Sequence, residues 1–367
     1  MKRFSSTILA SVNSAMPVVI AIGLAAILTS ILTLALGESP LHVATVLING
    51  AFGTPTALGY TLYYATPLIL TGLSVSWALR AGLFNIGAEG QMTMGGIAMA
   101  AVGIQLSHLP AVLAWPIAML AGFAAGGIWA WIVAWLKVRR GVHEVLGSIL
   151  FNFLSYGFAG FFILDIFRNS ASQNPETLEI GEGFRLSALA DLIGIGGTSP
   201  LNLAFPMALV VAVIVDVLLQ KTVFGLKTRW VGGAPEFAKR SGISLSATTL
   251  RTFAISGGLA GLAGASVVLG YMHKAREGFA GGAGFVGIAV ALLGGSRAAG
   301  VVAAAILFGA LQKGSLDLDL DTEKISRDLA GVVQALIVLA VASRSLLEAG
   351  WLKVKERFFA SASEGGQ

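Results

Sequence analysis

The sequence predicts an all-α polytopic membrane protein of about ten transmembrane helices, in two inverted repeats whose broken helices meet near the bilayer midplane. Three observations predict it. First, 56% of the 367 residues are hydrophobic and only 12% are charged, about half the charged share of a soluble domain, and mean hydropathy is +0.82. Second, the apolar residues come in runs of about 18–22, long enough for a helix to cross the hydrocarbon core, without the dyad alternation of a β-barrel. Third, Lys and Arg collect at the ends of these runs in the order expected when basic segments stay inside.

The runs lie near residues 16–36, 61–79, 90–107, 113–136, 143–165, 202–220, 250–271, 284–296, 299–314 and 328–347. The first follows Lys2 and Arg3 and lacks a cleavage-like end, so it reads as a retained span. The eighth is short and Gly-rich, which predicts a half-length or bent helix. Lys137, Arg139 and Arg140, the stretch Lys221–Arg251, Arg297, and Lys353, Lys355 and Arg357 fall inside, so both termini are expected in the cytoplasm. Gly37–Tyr60, Arg168–Leu201 and Ser315–Arg327 fall outside; the last carries Asp317, Asp319, Asp321 and Glu323. The expected division is a cytoplasmic N-terminus (1–15), a membrane domain (16–347) with a cytoplasmic region at 221–251, and a cytoplasmic tail (348–367).

Composition also excludes chemistry. The chain has no Cys, hence no disulfide, thiolate metal site or Cys nucleophile. His42, His108, His143 and His273 are scattered and form no ligand pair, so no metal site is expected. No His pair or Ser/Lys constellation recurs at helical spacing, so no catalytic residue is assigned. The net charge of +5 is explained by the inside clusters, and no nucleic-acid partner is implied.

The most informative stretch is Arg80–Gln91, RAGLFNIGAEGQ. Polar side chains are expensive at membrane depth and usually face a bundle interior or a water-filled route. Glycines among them indicate a broken helix, tolerated only where it lines a cavity or is covered by protein. Asn85 is placed to cap a helix beginning near Ile86, with Glu89 in its first turn, where the helix dipole favours a carboxylate. Asn85, Glu89 and Gln91 can serve a passing polar solute or satisfy backbone groups freed by the break. Gly282–Gly295, GAGFVGIAVALLGG, echoes this block and suggests the second repeat.

Gly141–Asn152, GVHEVLGSILFN, opens the fifth run. Glu144 is expected to cap it or to pair with Arg139 or Arg140, and Asn152, about two turns deeper, faces either the pathway or another helix. Tyr60, Tyr63, Tyr64, Trp115 and Trp351 suit interfacial belts. Phe84, Phe151, Phe153 and Phe285 lie deeper, where they stack on a flat solute or simply pack.

Between the sixth and seventh runs lies VGGAPEFAKRSGIS, residues 231–244. Pro235 suits a first helical turn, Glu236 its N-terminal dipole, Lys239 and Arg240 its C-terminal end, and Gly242 the stop. A charged surface helix of about two turns here is either a docking element for a soluble partner or an interfacial helix on lipid headgroups. The chain has no GxxxxGK[ST]; Gly225–Thr228 lacks its spacing. ATP-driven transport would therefore need an ATPase on another polypeptide.

GLFNIGAEGQ, GVHEV and GFVGIAVALLGG followed by LFGAL resemble the permease subunits of ABC importers of the branched-chain amino acid/ribose permease superfamily. Within it they look most like the branch that handles nucleosides and works with a basic-membrane-lipoprotein-type binding protein. The resemblance implies a complex in a bacterial cytoplasmic membrane: two permease chains, usually different, two ATPase subunits that bind ATP and Mg, and an extracytoplasmic binding lipoprotein. No cofactor is implied in this chain. The resemblance implies a translocation pathway for a small polar solute, and the residues singled out above from their chemistry, Phe84, Asn85, Glu89, Gln91, Asn152 and Phe285, are the candidate pathway residues. It also implies that Pro235, Glu236, Phe237, Lys239 and Arg240 form the coupling helix. The sequence departs from the family at Ala234, where an Asn is common, and at Ser296–Gly300, SRAAG, which lacks the aromatic and proline often seen there. A sugar or branched-chain amino acid permease of the same architecture is the nearest alternative. An ion-coupled secondary transporter would need intramembrane acids, for which Glu89, Asp165 and Asp216 are the few candidates, and the long charged loop argues against it.

Overall fold

The computed structural model describes residues 23–24, 26–194, 197–295, 297–322, 328, 331–333, 335–336 and 339. The start of the expected run at 16–36 and most of the run at 328–347 lie outside the described residues, as do the terminal segments 1–15 and 348–367, Ser296, Glu323 and the basic residues of the tail. The described chain is helical; its only β pairing is isolated bridges.

The helices are α1 (Ala26–Ala35), α2 (Pro40–Phe52), α3 (Pro55–Arg80), α4 (Ala88–Gln105), α5 (Ala111–Arg140) and α6 (Glu144–Phe161). There follow α7 (Leu189–Ile193), α8 (Ala204–Lys221), α9 (Val223–Gly233), α10 (Pro235–Arg240), α11 (Leu245–Leu262), α12 (Gly264–Val267), α13 (Ala283–Leu293) and α14 (Ala298–Asp321). Single π turns extend α6 over Phe162–Ile166 and α12 over Val268–Met272. Six of these helical segments are long and apolar enough to span, or seven if α1 and α2, bent by 118°, count as one. The expected ten are therefore not all present as full-length spans among the described residues. α4 reads as too polar, and α13, with 11 residues, is short as expected.

Three boundaries differ from the sequence reading. α2 occupies part of the expected outer loop 37–60, with Pro40 preset for a first helical turn. α11 begins at Leu245 instead of 250, because Ser244 Oγ accepts the Ala247 N–H at 3.2 Å and starts the helix inside a polar stretch. α14 continues to Asp321 through the expected acidic loop, with Leu318 buried and Leu320 and Asp321 exposed on the same helix.

Contacts divide the chain into Met1–Leu47 with Gly314–Gln367, and Ile48–Lys313. In the first unit His42 Nε2 lies 2.8 Å from Asp321 Oδ2. The second unit holds the candidate site. Its centre is α3 and the α11–α12 span, each 78% buried; α6 and α8, at 22% and 28%, form its periphery. Small residues permit the close packing. A methyl at Gly126 of α5 would strike the Gly257 carbonyl of α11, so those backbones meet directly.

Residues 168–194 and 197–201 form a strap over the ends of these helices. Ile180 N–H donates to His273 O, Leu186 N–H to Leu269 O and Gly181 N–H to Gly103 O, each at 2.9 Å. Phe184 is fully buried beneath it. Glu176, also buried, takes Lys274 Nζ at 2.9 Å and Arg276 at 3.4 Å. The hydrogen bond from Lys274 holds its carboxyl below the usual carboxylate range.

Candidate functional site

The break between α3 and α4 is built from side chains that satisfy one another. α3 stops at Arg80, and Gly82 takes a left-handed φ of 70° that turns the chain into the extended stretch before α4. Asn85, Glu89, Gln91 and Asn152 are all buried, from 0% to 3% exposed. Asn85 Nδ2 donates to Gln91 Oε1 at 2.9 Å and to Ser256 Oγ at 2.8 Å. Its Oδ1 accepts from Gln91 Nε2 and from the Gly87 N–H, both at 2.9 Å. Every hydrogen-bonding position of that amide is filled. Ser256 passes the chain on by donating to Ser74 O at 2.7 Å.

The cap expected of Asn85 is not made. α4 starts at Ala88 with Gly87 as its cap residue and no side-chain capping bond, because the Asn85 amide is engaged with Gln91. Asn152 of α6 closes the same break: its Oδ1 accepts the Gly90 N–H at 2.9 Å and its Nδ2 donates to Ile86 O at 3.0 Å.

Glu89 sits in the first turn of α4, as expected, but its carboxylate serves another helix. Oε1 accepts the Gly282 N–H at 2.9 Å and Oε2 the Gly284 N–H at 2.7 Å. These are donors at the start of α13, where an anion is favoured. No ion pair among the described residues involves Glu89. The two glycine-punctuated blocks that echo each other in sequence thus meet through one carboxylate. Gly284 has to be glycine-sized, since a methyl there would overlap the Glu89 backbone. Thr71 of α3 adds a bond from its hydroxyl to Ala283 O at 3.0 Å.

The aromatic candidates divide. Phe285 is 45% exposed and Phe153 67%. Phe84 is half-buried beside the break, and Phe151 packs edge-on against Trp129, with ring centroids 5.2 Å apart. Sequence reasoning passed over Ser74, Ser256, Thr71 and Tyr156, the last within electrostatic reach of Glu89. A lone hydroxyl in an apolar run carries no distinguishing signal. Glu144 pairs with Lys137 at 2.6 Å, not with Arg139 or Arg140. Gly141, at a left-handed φ of 71°, turns the chain back toward the preceding helical turn.

One end of the break is covered by the charged segment. α9, which the sequence reading did not resolve, lies on α3: Phe224 stacks on Trp77 with centroids 5.8 Å apart. Its last turn brings Gly232 onto the break, where a methyl would stand 2.6 Å from the Gly82 nitrogen. α10 follows as the expected short helix. Pro235 opens it, Ala234 supplies no cap, and the Gly242 N–H closes it on Lys239 O at 3.1 Å. Ala238 is buried, whereas Phe237 is 53% exposed and rests edge-on on Trp230, centroids 5.2 Å apart.

A bundle of apolar helices with a polar, doubly broken centre, the end of α9 seated on that break and a short charged helix following it defines a multi-pass membrane transport component. The family described as branched-chain amino acid transport system / permease component matches residues 57–342, and the chain belongs to it. It is 36% identical over 341 residues to a guanosine ABC transporter permease protein of Bacillus subtilis, covering 93% of this chain and 96% of that one. Against a nucleoside ABC transporter permease protein of Lactococcus lactis it is 31% identical, covering 92% and 93%. Against a glucose ABC transporter permease protein of Haloferax volcanii it is 33% identical, covering 83% and 81%. No solved structure matches the chain.

Proposed function

We propose that this chain forms part of the translocation pathway of an ATP-binding-cassette importer for a nucleoside or related small polar solute, in the cytoplasmic membrane with both termini inside. ATP and Mg are bound by two partner ATPase subunits, a second permease chain completes the pathway, and an extracytoplasmic lipoprotein delivers solute to the strap Arg168–Leu201. One observation carries the reading: the short charged helix α10 continues from α9, and Gly232 of α9 sits directly on the break that holds Glu89. A push on α10 from an ATPase has a continuous backbone route through α9 and Gly82 to α4. From there it reaches the start of α13 through the two bonds to Glu89. Moving these half-helices as rigid pieces exposes the route to one side at a time. The permease forms no covalent bond to its cargo. Phe285 and Phe84 offer aromatic walls, while the amides and carboxylate of the break, whose bonds are already made within the protein, hold the half-helices in place beside the route.

The nucleoside reading draws on the two relatives of that class and the sugar reading on the glucose relative. The test is uptake by the complete complex in proteoliposomes, comparing radiolabelled guanosine, glucose and leucine. ATP-dependent guanosine uptake that unlabelled nucleosides displace is the expected result. Uptake of glucose or leucine alone would move the assignment to those solutes.

A further inference from the structure

We propose that the recess between the inner ends of α3, α8 and α9 binds the phosphate group of an anionic membrane lipid. The recess, of about 20 Å³, is lined by Ser76, Arg80, Asp216, Gln220 and Arg229, with Val215 and Leu219 as an apolar wall. Arg229 and Arg297 both act electrostatically on Arg80, and Asp216 is the acid that opposes them. Among the charged groups that act on Arg80, two guanidinium groups stand against one carboxylate. The Asp216 carboxylate is already engaged by Gln220 Nε2 at 3.1 Å.

The arrangement asks for an acceptor. Arg229 Nε is buried and has no hydrogen-bond partner. A buried donor left unmade is unfavourable, and a phosphate presents several acceptor oxygens to guanidinium forks.

The surroundings point to a lipid in preference to a free anion. α8 is the peripheral helix beside the recess, and its outer side chains Val210, Val213 and Ile214 are 58%, 63% and 49% exposed. These face hydrocarbon once the protein is in its membrane. The recess lies beside the last turns of α8, which ends at Lys221, so a headgroup bound there would leave its acyl chains to run along α8. Basic pockets between spans on the cytoplasmic side suit such headgroups. A free phosphate would gain nothing from the apolar wall.

The experiment uses the full-length chain in nanodiscs of phosphatidylcholine containing a minor share of phosphatidylglycerol, with native mass spectrometry of the lipids that stay bound on release. The wild type is expected to retain phosphatidylglycerol selectively. Arg229→Gln should lower that retention about five-fold, the weight of one basic residue at an anionic surface, and Asp216→Asn should raise it. The opposite signs separate a site from general loss of structure. Unselective retention, equal losses in both variants, or displacement of the lipid by excess inorganic phosphate would overturn the proposal.

Discussion

At the scale of single residues, Glu89 and Asn85 decide most. Glu89→Ala removes the acceptor for two N–H groups at the start of α13, and Asn85→Ala strips partners from Gln91, Ser256 and the Gly87 N–H. Each buried group left unsatisfied costs about 1–3 kcal/mol. Either variant should therefore lower solute uptake by about ten-fold or more while still inserting and assembling. Uptake in membranes matched for permease content measures this, and normal uptake in both would reduce the two residues to dispensable packing. Glu176 supports a pH prediction. Its folded-state carboxyl is held low by Lys274, so its contribution is fully present above the ordinary value of about 4.3. That contribution is lost as pH falls through the lower folded value. Hydrogen exchange of residues 174–180 should accelerate over that window in the wild type and lose the dependence in Glu176→Gln; identical profiles would refute it. The polar residues of the break were legible in the sequence, because charge and amide groups stand out between apolar runs. Their partners were not, since Gly282 and Gly284 contribute only backbone N–H groups and any residue type has one.

At the scale of elements, the contact between α9 and the break links two regions far apart in sequence. Gly232→Leu would drive a side chain into the Arg80–Gly82 backbone. The expected result is a complex that still assembles and hydrolyses ATP but imports solute several-fold more slowly per ATP, read by measuring both rates on one preparation. Parallel loss of both rates would contradict it. α10 was legible because Pro235, the flanking charges and Gly242 mark its start and stop. α9 was not, since Val223–Gly233 mixes glycines with Lys227 and Arg229, and its helicity rests on the Thr222 cap and on packing of Phe224 against Trp77. α2 was missed because its 13 residues are too few for a span, and the end of α14 because its Asp residues read as loop, yet helix continues wherever one buried side permits.

At the scale of the whole molecule, the proposed device is a lever made of α10 as docking helix, the polar doubly broken centre and the strap over the other helix ends. Topology is testable because the chain has no native Cys. A single cysteine at Ser187 should be labelled by an impermeant reagent from outside, and one at Lys239 only after the inner face is opened. The reverse pattern would invert the orientation. The central claim is that α10 transmits ATPase movement. Phe237, exposed on Trp230, and the pair Glu236 and Arg240, four residues apart on one face, would meet the ATPase. The most direct measurement is co-purification of the ATPase with a permease carrying Phe237→Asp, or Glu236→Lys with Arg240→Glu, alongside ATP hydrolysis in proteoliposomes with loaded binding protein. The account predicts ATPase recovery reduced about ten-fold, the scale of one buried aromatic anchor lost from an interface, and hydrolysis no longer stimulated, with the permease still in the membrane. Unchanged recovery and unchanged stimulation would contradict it and leave α10 as a helix lying on lipid.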